Sequence, residues 1–225
     1  MSHEDPKFVL WGYYRSSCAG RLRIALDLKS VDFENAFVRL DKDEQLQDHW
    51  KAVNPSGAVP VLVATSREDT YAITQSVAAL EYLEEVLPDR RSLLPMDPVA
   101  RAKVRVLVNI IACDTQPISN RHIMLAVNDI GASGAEWSKK YISRGLAAYE
   151  KTVGISAGKY SVGDEITLAD VCLVPAVWAA QRWGVDFEPM PVVSRIFETL
   201  SRDPAVMRSH WACQPDTPDE LRNKG

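Results

Sequence analysis

The chain opens with a change of period. Residues 7–13, KFVLWGY, are apolar and β-rich, and the run stops at Ser16, Ser17 and Cys18. From Ser17 to Lys29, Leu22, Ala25 and Leu26 recur at helical spacing, so a strand is predicted to run into a helix there. FENAFVRL (33–40) reads as a second strand, and 41–57 is polar and loosely helical. VPVLVAT (59–65) reads as a third strand and TYAI (70–73) as a short fourth. SVAALEYLEEVL (76–87) is amphipathic at period 3.6 and stops at Pro88. The order β-α-β-α-β-β-α implies a sheet covered by helices.

Residues 88–98, PDRRSLLPMDP, are charged and proline-rich, which predicts a linker between 1–87 and 99–225. Beyond it the pattern is helical: 100–116, 136–153, 168–183 and 192–202 all carry period-3.6 apolar positions. Pro117 and Pro175 fall in or beside these stretches and are expected to break or kink them. The tail, QPDTPDELRNKG, is polar and is expected to lie over the surface or to be disordered. The fold class expected is a small α/β domain followed by an all-α one.

Composition narrows the function. Of 225 residues, 46% are hydrophobic and 25% charged, so a large core is available. A net charge of -4 with no basic block argues against nucleic acid as the main partner. No apolar run reaches a membrane span of about 18 residues, and the N-terminus lacks a signal pattern, so a cytoplasmic protein is expected. Cys18, Cys113, Cys172 and Cys213 are scattered and form no CxxC pair, which predicts free thiols and no metal site.

Small polar residues gather where strands give way to helices. A serine at Ser16 or Ser17 can cap a helix by accepting an unpaired backbone N–H. The same place concentrates positive dipole and free N–H groups, which favour an anion such as a thiolate. That thiolate could be Cys18 or a ligand's sulfur, since a thiol of pKa about 8.5 falls to roughly 3.5–7.5 in such sites. NPSGAVPVL (54–62) sets a turn before a strand that starts with Val59-Pro60. A cis bond there would turn the Val59 backbone toward a peptide-like ligand, and a trans proline on an edge strand is the alternative. Thr74, Gln75 and Ser76 open the next helix, as caps or as a carboxylate site. Thr167 and Asp170 fit a capping box, read as structural. Arg182 ends an apolar helical run, where it either complements the helix dipole or binds an anionic ligand.

Together these stretches resemble the glutathione transferase superfamily, and within it the zeta class, the maleylacetoacetate isomerases. The resemblance rests on Ser-Ser-Cys with RLRIAL, NPSGAVPVL, TQS, QPISN, GDEITLADVCLVP and QPDTPDELR, in that order almost end to end. It implies a thioredoxin-like domain, an all-α domain and a homodimer. It implies a cis Pro60, a Val59 backbone paired with the cysteinyl unit of glutathione, and Gln75 and Ser76 on the γ-glutamyl carboxylate. Ser16, Ser17, Cys18, Gln45, Gln116 and Asn120 match glutathione-site positions, and Arg182, with Arg15, would meet a small acidic substrate. One departure is Gly20, where the class usually has tryptophan; it bears on the pocket's shape and the substrate range.

The activity implied is glutathione-dependent cis–trans isomerisation of maleylacetoacetate, with transfer to small α-haloacids beside it. In that reading Ser17 is the first choice as hydroxyl donor to the sulfur, Ser16 the second, and Cys18 supports them. Three alternatives stand: a thioltransferase or dehydroascorbate reductase working through Cys18, a general detoxifying transferase, and a non-enzymatic binding module.

Overall fold

The computed structural model describes residues 5–66 and 69–222. It divides into two units, one running through Ser92 and resuming at Pro204, the other spanning Leu93–Asp203.

In the first unit, β1 (Lys7–Gly12), β2 (Phe33–Phe37), β3 (Val61–Ser66) and β4 (Asp69–Thr74) form one sheet in the order β2-β1-β3-β4. β1 runs parallel to β2, with Phe8 opposite Phe33, and antiparallel to β3, with Leu10 opposite Leu62. β3 and β4 are antiparallel. The parallel β1–β2 pair needs a crossover, and α1 (Ser17–Leu28) supplies it. A short helix α2 (Asp48–Val53) precedes the Asn54–Gly57 turn, and α3 (Ser76–Val86) follows β4 directly.

Helix α1 is buried on every side, basic residues included. Arg21 and Arg23 are 2% and 4% exposed, and Lys29 pairs with Glu84 at 2.7 Å and donates to the Arg91 carbonyl. Long cations are buried at tolerable cost when their polar ends are bonded in this way.

The tail corrects the expected domain boundary. Residues from Pro204 onward belong with the α/β unit and not with the helical one, where α9 (Pro204–Ser209) packs on α1. Gln214 and Thr217 are buried while Pro215, Asp219, Glu220 and Arg222 are exposed, so the described part of the tail lies over the surface of this unit, the first of the two alternatives expected.

The second unit contains α4 (Pro98–Asn109), α5 (Arg121–Asp129), α6 (Gly134–Val153), α7 (Leu168–Arg182) and α8 (Pro191–Leu200). The pattern over 100–116 predicts one helix; the structure ends α4 at Asn109 and continues with a wider π turn, Ile110–Thr115. Gly145 explains the geometry, because a Cβ there would collide with the Thr115 side chain. Pro117 opens a short 3-10 turn, as expected of a breaker, but Pro175 lies inside an unbroken α7. Nearly every α7 residue from Leu168 to Trp178 is buried, and that packing outweighs the lost backbone bond.

Asp170 sits at the centre of this unit and is 0% exposed. Its Oδ1 accepts from Ser161 N–H (2.9 Å), and its Oδ2 from the N–H (2.8 Å) and hydroxyl (3.1 Å) of Thr167. Burial pushes its carboxyl above the usual range, and these bonds oppose the shift. The structural reading of the box therefore holds. No helix among the described residues is long and apolar enough to cross a membrane, and no group of three His, Cys, Asp or Glu there could hold a metal.

Candidate active site

The first unit brings its small polar residues to the ends of β1 and β3 and the starts of α1 and α3. Ser16 is the N-cap of α1: its φ of -68° and ψ of 113° are non-helical, and its Oγ accepts from Ala19 N–H at 3.1 Å. Ser17 and Cys18 are the first two helical residues, half-exposed, with no acidic side chain in the first turn. The Ser17 hydroxyl has no hydrogen-bond partner among the described residues, so the two adjacent serines differ: one hydroxyl is engaged by the helix and one is not. The N–H groups of Ser17 and Cys18 stand at a helix start, where no intrahelical carbonyl can reach them. Cys18 takes part in no disulfide, and neither do Cys113, Cys172 and Cys213.

The second wall is the turn before β3. Asn54 Oδ1 accepts from Ser56 N–H (3.2 Å) and Ser56 Oγ (2.7 Å), while its Nδ2 donates to Ala58 O at 2.8 Å. Trp50 Nε1 donates to the same carbonyl at 3.3 Å. Gly57 takes φ +58°, which glycine adopts without steric cost. The Val59–Pro60 bond is cis, as the resemblance implied. Val59 lies outside the strand ladder, and its N–H and C=O have no partner among the described residues.

Gln45 lies on a 3-10 turn, Glu44–Leu46, beside this loop; a Cβ on Gly57 would come within 3.2 Å of its carbonyl. Its side chain is buried: Nε2 donates to Asp43 Oδ1 at 3.3 Å, and Oε1 has no partner. Gln75 precedes α3 with φ +67°, an uncommon conformation for a side-chain-bearing residue. Ser76 is buried, and its Oγ accepts from Arg21 Nη1 at 3.0 Å. With that lone pair used, the hydroxyl proton is left to point elsewhere.

The remaining candidates divide between the units. Arg15 adjoins Ser16, its guanidinium 5.3 Å from the Tyr14 ring centroid and 5.5 Å from that of Trp211. Burial pushes the Tyr13 hydroxyl above its ordinary value, so it stays protonated at neutrality. In the helical unit, Gln116 follows the π turn, its N–H bonded to Ile111 O at 2.9 Å. Asn120 caps α5 through Oδ1, which accepts from Arg121 N–H at 2.8 Å. Arg182 ends α7, exposed, 4.6 Å from the Trp183 ring centroid.

Two family models match this chain. The N-terminal domain of glutathione S-transferase matches residues 15–86, and the C-terminal domain matches 115–204. The chain belongs to the glutathione S-transferase family. Within that family it is 50% identical over 222 residues to Maleylacetoacetate isomerase maiA of Aspergillus fumigatus, covering 97% of this chain and 96% of that one. It is 44% identical to the maleylacetoacetate isomerase of Rattus norvegicus, over 96% of this chain and 98% of that one. Among solved structures, the maleylacetoacetate isomerase of Anaeromyxobacter dehalogenans with bound GSH aligns with a TM-score of 0.88 at 38% identity. That alignment covers 96% of this chain and all of the other (100%). A bacterial zeta-class maleyl pyruvate isomerase aligns with a TM-score of 0.87 at 38% identity, over 93% and 100% of the two chains.

The family's two-domain fold matches the fold class expected from the pattern. Sequence reasoning passed over four residues. Arg21 supports Ser76, Arg23 and Asp216 hold the Tyr14 backbone ahead of Ser16, and the Trp211 ring lies against the Arg15 guanidinium. Arg21 and Arg23 lie in the RLRIAL match and Asp216 in the tail match, while Trp211 lies in neither.

Proposed function

We propose that this protein is a glutathione-dependent isomerase that converts maleylacetoacetate, a small acidic cis-alkene, to its trans isomer. The observation that carries the reading is the start of α1. Ser16 caps the helix, and Ser17, one residue on, keeps an unpartnered hydroxyl beside two unsatisfied amides. Such a place favours a negative sulfur.

The site fits glutathione on features of this chain alone. Val59 has a free N–H and C=O beside the turn, as a peptide-like ligand requires. Gln45 has a buried, unpartnered Oε1. Gln75 and Ser76 open α3, and Ser76 has its acceptor lone pair engaged by Arg21, leaving a donor for the ligand's carboxylate. Glutathione, when bound there, would supply a soft nucleophile for reversible addition to the conjugated double bond, chemistry that permits rotation and consumes no thiol.

The protein's part is placement and electrostatics. Ser17 donates a hydrogen bond from its hydroxyl to the sulfur and keeps its proton, and the α1 amides add to that field. Cys18 adjoins the same turn and tunes it. Arg15 meets a substrate carboxylate. Gln116, Asn120 and Arg182 enter as the helical unit's ligand-binding residues, each by its match to the class. The proposal also takes in a homodimer, a cytoplasmic location and displacement of halide from small α-haloacids, all from the same resemblance.

The test follows a maleyl-type cis substrate with glutathione present in catalytic amount. Many product equivalents per glutathione, with the thiol recovered intact, are expected. Loss of one thiol per product would mark conjugation and overturn the isomerase reading.

A second reading has one observation in its favour: Cys18 is a half-exposed thiol at the second position of α1. It would then be the working sulfur of a thioltransferase. Loss of all glutathione-dependent turnover in Cys18→Ala, with Ser17→Ala active, would select it.

A further inference from the structure

The C-terminal segment turns back onto the loop that leads into Ser16. Asp216 Oδ2 accepts from Tyr14 N–H at 2.8 Å, across 202 residues of chain. The buried Arg23 holds the same residue from the other side, its Nη2 donating to Tyr14 O at 3.1 Å and its Nε to Ser209 O at 3.3 Å. Ser209 in turn donates its hydroxyl to Asp27 Oδ2 at 2.8 Å. Both polar groups of the Tyr14 backbone are thus held by the tail, one directly and one through a guanidinium that also grips the tail.

A second contact fixes a side chain. Arg15 lies between the Tyr14 ring and Trp211. Trp211 is itself fixed: its carbonyl accepts from the Thr217 hydroxyl, and its ring lies 5.0 Å from that of His210. Gln214 donates to the carbonyls of Arg208 and His210, both at 2.9 Å, and so ties the segment into one body.

We propose that segment 209–217 is a positioning element for the glutathione-activating loop, with Asp216 setting the Tyr14 backbone and Trp211 setting the Arg15 guanidinium toward the acid group of the substrate. The inference rests on the reading above, in which Ser17 and the α1 start activate the thiol. Its mechanical logic is short. Ser16 N–H closes a turn on Tyr13 O at 2.9 Å, so a shift at Tyr14 passes directly to the cap and to Ser17. Reacting groups displaced by about 1 Å can lose roughly a hundredfold in rate. The cost of the contact points the same way. Asp216 Oδ1 is buried without a partner, an arrangement that opposes stability. Proteins keep such local violations where function needs the geometry.

The test uses the full chain and three variants, Asp216→Ala, Asp216→Asn and Trp211→Ala. It reads melting temperature, kcat and KM for a maleyl-type diacid, and the ultraviolet titration of bound glutathione's thiolate. Asp216→Ala is expected to lower kcat about tenfold, part of the cost of a full misplacement. It is expected to raise the thiol's titration midpoint by about one pH unit, with KM changed less than about twofold. Asp216→Asn keeps an oxygen that accepts from Tyr14 N–H, and is expected to return kcat to within about threefold of wild type. Trp211→Ala is expected to give the opposite split: kcat near wild type and KM for the diacid up about fivefold, the scale of a cation–π contact.

Wild-type kcat and thiol midpoint in Asp216→Ala overturn the inference, as does Asp216→Asn no better than the alanine variant. If Asp216→Ala does not fold, an unchanged KM in Trp211→Ala overturns it. Failure here is distinct from failure of the functional reading: a wild-type protein that leaves the bound thiol untouched sinks that reading, whatever the variants do.

Discussion

Ser16 and Ser17 are chemically identical neighbours, and the structure gives their hydroxyls different hydrogen bonding. Ser16 Oγ accepts from Ala19 N–H and so caps α1. Replacing it with alanine removes one cap, worth about 1 kcal/mol, which for a chain of this size lowers Tm by roughly 2–4 °C. Ser17 has no such bond, so Ser17→Ala is expected to melt with wild type. Under the proposed function, what Ser17→Ala removes is a hydrogen bond to a negative sulfur. Bonds to charged groups contribute about 1.5–3 kcal/mol, equivalent to roughly 10- to 100-fold in rate. The assay is kcat/KM for a maleyl-type substrate at neutral pH, beside thermal melts of the same preparations. The expected pattern is crossed: Ser17→Ala loses rate and keeps Tm, while Ser16→Ala loses Tm and keeps more rate. A Ser17→Ala variant within about twofold of wild-type kcat/KM, or a Ser16→Ala variant with the larger loss, would refute the assignment.

Three further outcomes follow from the same contacts. Asp170→Ala leaves the buried N–H groups of Ser161 and Thr167 unpaired, at about 1–3 kcal/mol each, and is expected to lower Tm by roughly 4–24 °C; Asp170→Asn, keeping one acceptor, should fall between. Ser76→Ala is expected to weaken glutathione binding about tenfold while leaving kcat at saturation near wild type, measured by calorimetry and kinetics. His210 carries a pH dependence: burial, with Arg23 beside it, holds its pKa below the ordinary 6.5, and its Nδ1 accepts from Ala212 N–H. The unfolded chain therefore takes up the proton first, so this contribution is complete above about 6.5 and is lost as pH falls through the lower folded value. Denaturant melts should show the decline, and His210→Asn, which keeps an acceptor and does not titrate, should flatten it.

Much of the α/β unit was legible because its determinants are local. KFVLWG alternates into β1, SVAALEYLEEV carries its own period, and Asn54 with Gly57 specifies a turn through bonds within four residues. The Thr167–Asp170 box was equally local. What periodicity could not convey were contacts across the chain. Arg21 and Arg23 fall on the helix predicted from Leu22, Ala25 and Leu26, and nothing in that period marks them as buried; partners at Ser76 and Ser209 allow it. Pro175 read as a breaker because helix propensity knows nothing of the packing around α7. Whether the tail lay over the surface or was disordered stayed open because the bond that anchors Asp216 comes from Tyr14, some two hundred positions away. The π turn after Asn109 answers to Gly145 on another helix. The family resemblance supplied the site residues that local pattern left open, among them Gln45 and the conformation at Pro60.

The central claim is that the start of α1 stabilises a ligand's sulfur as an anion. Its most direct measurement is the ultraviolet titration of glutathione bound to the wild-type protein, beside free glutathione in the same buffer. The account predicts a bound midpoint at or below about 7.5, against about 8.5 for an unperturbed thiol. A bound thiol that titrates together with the free one would contradict it.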